Sequence, residues 1–439
     1  MADSRVSMRA ASHWVLVGCA AVAACTTTRA SDLVLPDRPQ NAAQRDTASR
    51  PAVDNAVLGA SVRALGREVE AIRGLRFQRE VPFRVLSVEA IAAHFRNDRV
   101  EESDAQRGDD LLAVGLGHLR DEDTEDRDAF AQMMGNEAQG FYDPRDAILT
   151  LSEVEARSLA RAGPAGMEAR ATVVHELVHA LQDQHFHSRV AVDERGPAMI
   201  DRATVRLALL EGDATLVTLE WQARQRGARM LGTAEQRPRI ARWAERAQVL
   251  TESNVPKYFI DALELPYEAG ATAVGVLYER GGWQAVNDAL AREELRSGAL
   301  LHPERGDDGL VRVDPPTPRP STERVLSREL GELELRLLLG VVVRKERASE
   351  LAATWRGDAA TLDRSTGAAT RPTLVFQWRI ACDSPAGAEA IALAARPLVE
   401  RWRREGCPRM RGGSANQCLA DVTVERVGER ASVLVRRGE

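Results

Sequence analysis

Two histidines four residues apart, with a glutamate directly after the first, stand inside the apolar run from Ala171 to Leu181: His175-Glu176-Leu177-Val178-His179. On a helix, positions four apart lie roughly 6 Å apart along the axis and roughly 40° apart around it. Both imidazoles then face one small volume, at a spacing suited to two ligands of a Zn²⁺ ion. Glu176 falls on the neighbouring stripe, where it can take a proton from a water on that ion. Val173, Val174, Leu177, Val178, Leu181 and Phe186 leave this helix apolar on nearly every side, which predicts burial. The plainer reading is a core helix with two hydrogen-bonded histidines and a capped glutamate. A buried glutamate between two imidazoles is costly unless something offsets it, and a divalent cation does.

A catalytic zinc needs a third protein ligand and one position open to water. His185 follows His179 at the distance of the longer H-E-x-x-H-x-x-G-x-x-H pattern. That pattern turns at Gly, however, and position 182 is Gln. No Gly or Pro breaks the run from Ala180 to His187, so a continuing helix carries His185 roughly 15 Å from His175. Glu211 is the stronger candidate. It sits in Leu209-Leu210-Glu211-Gly212-Asp213-Ala214, within a second apolar helix predicted over Asp201 to Trp221. A carboxylate there demands a partner, either the ion or an arginine such as Arg206. Gly212 costs about 1 kcal/mol of helix propensity, which makes sense where another backbone or the metal site approaches closely. Asp213 or Asp183 is placed to orient a ligating imidazole.

The stretches HELVHALQDQHF (175 to 186) and LLEGDATLV (209 to 217) resemble the gluzincin class of zinc metallopeptidases. More narrowly, they are similar to a group of uncharacterised bacterial metallopeptidase-like lipoproteins. GFYDP at 140 to 144, LPYEAG at 265 to 270, GGW at 281 to 283 and WRGD at 355 to 358 carry the same likeness, which spans most of residues 130 to 385. It implies His175, His179 and Glu211 as zinc ligands and Glu176 as general base in peptide-bond hydrolysis. Thermolysin-type sequences place an Asp four residues after the carboxylate ligand to support a zinc histidine. Position 215 is Thr here, so the supporting residue stays open. Tyr267, in a Leu265-Pro266-Tyr267 turn, is a candidate donor to the developing oxyanion.

Gly140 to Leu151 reads as strand, Asp-Pro turn, strand. The resemblance makes residues 147 to 151 an edge strand for an extended substrate, with a plain hairpin as the alternative. At the amino terminus, Arg5 and Arg9 precede the apolar run Trp14 to Ala24, which is too short to span a bilayer. It ends in Val22-Ala23-Ala24-Cys25, similar to the lipobox of bacterial lipoproteins, with Cys25 as the lipidated residue. An ordinary cleaved signal, or a lipobox ending at Cys19, is the alternative.

Beyond this, residues 26–80 read as a tether followed by a helix from Ala56 to Leu75, and the charge-dense Asn97 to Asp128 as surface. Helices are predicted over Ile240 to Val249, Glu268 to Arg280, Gln284 to Leu295 and Glu323 to Val343. Leu374 to Ile380, Ala386 to Arg404, Leu419 to Val427 and Ala431 to Val435 read as strand, helix, strand, strand. The expected fold is α+β and mostly helical. A zincin-like core with a small sheet occupies 81–370, and a small α+β lobe 371–439.

A net charge of −6 over 439 residues argues against general nucleic-acid binding. Of Cys382, Cys407 and Cys418, the last two could bridge in an oxidising compartment, and none has metal-site spacing. His94, His118 and His302 have no partner pattern. The expectation is therefore an envelope-anchored zinc metallopeptidase, with a peptide or protein substrate and a membrane surface as partners. A zinc hydrolase of a non-peptide bond and a non-catalytic surface lipoprotein are the rivals.

Overall fold

The computed structural model describes residues 54–97, 112, 116, 139–186, 200–246, 257–292, 294–366, 372–408, 414–415, 418–427 and 430–438. The signal peptide, Cys25, the tether before residue 54 and most of the charge-dense stretch lie outside them. So do His118 and His187.

The chain begins with helix α1 (Asn55–Arg73), capped by the Asp54 carboxylate, which accepts from Ala56 N, and closed at Gly74 with φ +74°. Strand β1 (Phe83–Leu86) and helix α2 (Val88–Asn97) follow. Strands β2 (Gly140–Asp143) and β3 (Ile148–Ser152) form the expected hairpin. Ser152 then caps helix α3 (Glu153–Leu159). Sheet order is β1-β3-β2, with β1 parallel and β2 antiparallel to β3. Residues 147 to 151 are therefore not an edge. β1, from far upstream, covers the side of β3 that a substrate would need.

Helix α4 (Pro164–Phe186) carries both motif histidines and is buried over nearly all of Ala171 to Gln184, while its first two residues are exposed. It packs against β2, α1 and the long helix α5 (Ile200–Gln225). Helix α6 (Gln236–Arg246) leads to α7 (Lys257–Ala291), whose helical geometry breaks at Gly281 and Gly282. The predicted turn at Leu265 to Tyr267 lies inside α7. Pro266 is accommodated there because Leu265, Tyr267 and Ala269 are buried, so packing overrides the lost N–H. One core joins these helices: Leu65 and Val69 of α1, Val174 and Val178 of α4, Leu216 and Val217 of α5, and Val274 of α7.

Helix α8 (Ser297–Leu301) and an irregular proline-bearing stretch lead to β4 (Thr322–Arg328), where the sequence pattern predicts helix. Pairing with β5 decides that segment. Helices α9 (Gly331–Gly340) and α10 (Lys345–Ala352) follow, then β5 (Trp355–Ser365), β6 (Leu374–Cys382) and α11 (Pro385–Glu405). The short pair β7 (Cys407–Pro408) and β8 (Ser414–Ala415) precedes β9 (Ala420–Val427) and β10 (Arg430–Arg437). The second sheet runs β4-β5-β6-β10-β9, so the strands expected after residue 371 share a sheet with two earlier ones. α11 covers it through Ile391, Leu398 and Trp402 against Phe376, Trp378 and Val433. Cys407 and Cys418 form the disulfide, and Cys382 is a buried thiol. No helix among the described residues is long and apolar enough to cross a membrane.

Buried carboxylates tie the sheet to the helices. Asp358 accepts from Leu330 N and Gly331 N at 2.9 Å, Trp355 Nε1 at 3.0 Å and Trp378 Nε1 at 2.7 Å. Asp201 is buried at the same junction; its Oδ2 accepts from Ser297 N at 3.1 Å and its Oδ1 accepts nothing. Burial, reinforced by Glu329 and Asp358 and opposed by Ser297, pushes the Asp201 carboxyl up to about 8. A carboxyl raised on folding contributes most below its ordinary value near 3.8 and loses that contribution as pH climbs to about 8. Asp201→Asn keeps the acceptor for Ser297 and cannot ionise. It should gain on the parent by on the order of 2–4 kcal/mol from about pH 5 to about pH 9. Parallel stability profiles from thermal melts across that range would sink the assignment.

Candidate metal centre

His175 and His179 project from one turn of α4, and Glu211 reaches them from α5. The helices can come this close because α5 carries Gly212. A Cβ there would stand 2.3 Å from the backbone of Gly270 on α7, and one on Gly270 would stand 1.9 Å from Ala208 O. The glycine beside the carboxylate thus marks close backbone approach, as its sequence position implied.

Three ligand atoms converge. His175 Nε2 lies 3.0 Å from His179 Nε2 and 3.2 Å from Glu211 Oε2, and His179 Nε2 lies 3.3 Å from the same oxygen. A tetrahedral ion with bonds of about 2.0–2.1 Å separates its ligand atoms by about 3.3–3.4 Å. The triangle fits one such ion, with a fourth corner for another ligand. Among the described residues this is the one group of three or more His, Cys, Asp or Glu side chains close enough to hold a metal.

Electrostatics among these side chains agree with that chemistry. Burial pushes the Glu211 carboxyl up, but His179 and His175 outweigh it and hold it well below the usual carboxylate range. Burial works against charge on His179, yet Glu211, Glu176 and Gln182 raise it. His175 is lowered, chiefly by burial. One carboxylate is therefore kept ionised against two imidazoles, as in a site built to exchange protons for a cation.

Glu176 follows His175 and is fully buried. Its Oε2 accepts from Tyr142 N at 2.8 Å, on the outer side of β2. Its Oε1 accepts nothing. Burial raises its carboxyl to about 8, Glu211 reinforces that, and His179 and Tyr142 N–H oppose it. The Tyr267 ring lies beside His175, with centroids 6.2 Å apart and planes at 29°.

Neither aspartate expected to support a ligating histidine touches one directly. Asp183 accepts from Tyr142 Oη at 2.8 Å and pairs with Arg79 at 3.0 Å. Gln182 takes the role instead, its Oε1 lying 2.9 Å from His179 Nδ1. Its Nε2 donates to Leu210 O and to Asp213 Oδ2, both at 2.9 Å. Asp213 therefore stands one residue further back than expected. In sequence, Gln182 carried a signal only as the residue that replaces Gly of the longer motif.

The remaining candidates lie elsewhere. His185 faces away, its Nε2 against Arg76 O at 2.7 Å. Arg206 donates to the carbonyls of Leu290 and Phe186 rather than to Glu211. His302 pairs with Glu332 at 2.7 Å, and His94 stacks on Phe141. No protein-family model, curated protein or solved structure matches the chain.

Proposed function

We propose that the chain is a zinc-dependent metallopeptidase of gluzincin type, anchored to the bacterial envelope through Cys25. The observation that carries this reading is the convergence of His175, His179 and Glu211 on one point, with the Glu176 carboxyl on the same helix and a strand edge beside it. Zinc, when bound, supplies Lewis acidity, lowering the pKa of water toward about 7 and polarising a carbonyl.

The chain's own groups do the rest. Tyr142 N–H fixes one oxygen of Glu176, leaving the other to receive the proton of the attacking water and return it to the leaving amine. Burial disfavours charge on that carboxyl, a direction that eases its taking up a proton. β2 pairs with β3 on one side, and on its other side Tyr142 N–H is taken up by Glu176, so the sheet holds the carboxyl in place.

The test is metal analysis joined to turnover of denatured casein and a peptide library. The full chain should carry about one zinc and lose casein cleavage with a chelator. Glu211→Ala and His175→Ala should each lower bound zinc by at least about tenfold, while His185→Ala leaves it unchanged. Protein that purifies metal-free and takes up no added zinc would end the reading. Zinc binding without peptide turnover would move it to the non-peptide hydrolase or the binding lipoprotein.

A further inference from the structure

Behind His179 runs a line of buried side chains that ends on another helix. The Gln182 amide has a fixed orientation, because its nitrogen faces two acceptors, Leu210 O and Asp213 Oδ2. Its oxygen therefore faces His179 Nδ1, which must carry a hydrogen, so Nε2 is the nitrogen directed toward His175 and Glu211 and the one that can bind an ion. Asp213 is held in turn by Arg73 Nε at 2.8 Å, with both side chains at most 1% exposed. Arg73 belongs to the last turn of α1, 140 residues away in sequence.

That guanidinium is seated from a third direction. Arg73 Nη2 donates to Asn287 Oδ1 at 2.6 Å, and its carbon lies 4.4 Å from the centroid of the Trp283 ring. Trp283 Nε1 also donates to Ile72 O at 2.6 Å, taking up a carbonyl at the end of α1. The break at Gly281 and Gly282 sets the direction of residues 283–291, so the GGW stretch aims both partners at Arg73.

A fully buried ion pair is a poor net stabiliser, because desolving two charges offsets their attraction. Nor does α1 need it for docking, since Leu58, Val62, Leu65, Val69 and Ile72 already bury a stripe in the core. One guanidinium nitrogen, Nη1, even lacks a hydrogen-bond partner. What the pair does fix is the position of the Gln182 amide.

We propose that Arg73, Asp213 and Gln182 form a buried positioning relay that holds His179 with its Nε2 toward the ion, making zinc affinity depend on the seating of helix α1. The relay rests on the reading of His175, His179 and Glu211 as zinc ligands. Losing one member should weaken zinc binding about 10- to 100-fold, as removal of a hydrogen bond behind a metal ligand does.

The test measures the Zn²⁺ dissociation constant of the full chain against a competing chelator dye. Asp213→Asn, Gln182→Ala and Arg73→Lys are compared with the parent and with Glu211→Ala. Thermal melts check folding, and ¹⁵N shifts of the His179 ring report its hydrogen-bonded Nδ1. Asp213→Asn differs from the parent by one group of equal size and keeps the test open if a change at Arg73 unfolds the chain. The relay predicts weakened binding in all three variants and a shifted Nδ1 resonance in Asp213→Asn. The double variant Arg73→Lys/Asp213→Asn should be no weaker than its worse single parent, because both act along one path. A purely structural role would lower melting temperatures and leave the affinity of folded protein alone. Parent and Asp213→Asn affinities equal within about twofold, with Glu211→Ala impaired, overturn the relay and spare the metal reading. A parent that binds no zinc overturns both.

Discussion

Glu176→Gln should lose peptide hydrolysis by about 10²–10⁴-fold in kcat while retaining zinc and the fold. The amide oxygen can still accept from Tyr142 N–H, and the new NH₂ group takes the place of an oxygen that accepts nothing. What disappears is the capacity to receive a proton. Burial disfavours charge on this carboxyl, so the substitution puts a neutral group where the surroundings already resist ionisation, and thermal stability should hold. Two measurements decide the matter: turnover of a fluorogenic peptide, and zinc content of the same preparation. Parent-level turnover in the variant would remove Glu176 from the chemistry. Loss of zinc together with turnover would make its role structural.

The second large effect is expected from a single methyl group. In Gly212→Ala the added Cβ would fall 2.3 Å from Gly270 C and O and 2.9 Å from Ala271 N. All are backbone atoms, so no side chain can rotate to make room, and α5 and α7 must move apart. Destabilisation of about 3–5 kcal/mol is expected, at the upper end for overpacking. Because Glu211 is the adjacent residue, the same displacement should draw its carboxylate from the histidines and weaken zinc binding in whatever protein still folds. Gly340→Ala is the control. A Cβ there meets nothing within 4 Å, and its effect should stay within about 1 kcal/mol. Chemical denaturation of both variants, with zinc titration, reads the outcome. A Gly212→Ala chain as stable as the control would mean that the two helices do not touch as described.

How much of this could be seen beforehand depended on range. The histidine pair and Glu176 were legible because one turn of helix sets their relation, and a buried helix was legible from its apolar residues. Glu211 could be picked out as a lone charge beside a glycine in an apolar helix. The C-terminal strands and helix followed from local apolar patterning over Leu374 to Ile380, Ala386 to Arg404, Leu419 to Val427 and Ala431 to Val435. What stayed hidden was set by distant chain. Gln182 looks like a motif departure until Leu210 O and Asp213 are known to lie across from it. Pro266 signals a turn unless the burial of its neighbours is known. β4 reads as helix because its partner β5 begins 27 residues after β4 ends. The resemblance made β3 an edge, and nothing local announces that β1 will cover it.

The stretches that carried the family likeness fall into one physical arrangement. Tyr142 of GFYDP holds Glu176, Gly270 of LPYEAG meets Gly212, Trp283 of GGW lies on Arg73, and Asp358 of WRGD gathers four N–H groups.

That last carboxylate has a further consequence. Asp358 fastens the start of α9, and Leu333 and Leu337 of α9 then fill the back of α7 against Leu265 and Ala269, the residues flanking Tyr267 and Gly270. The C-terminal half is thus a buttress for the wall behind the histidines. Trimming the chain ahead of β4 would leave that wall without its backing.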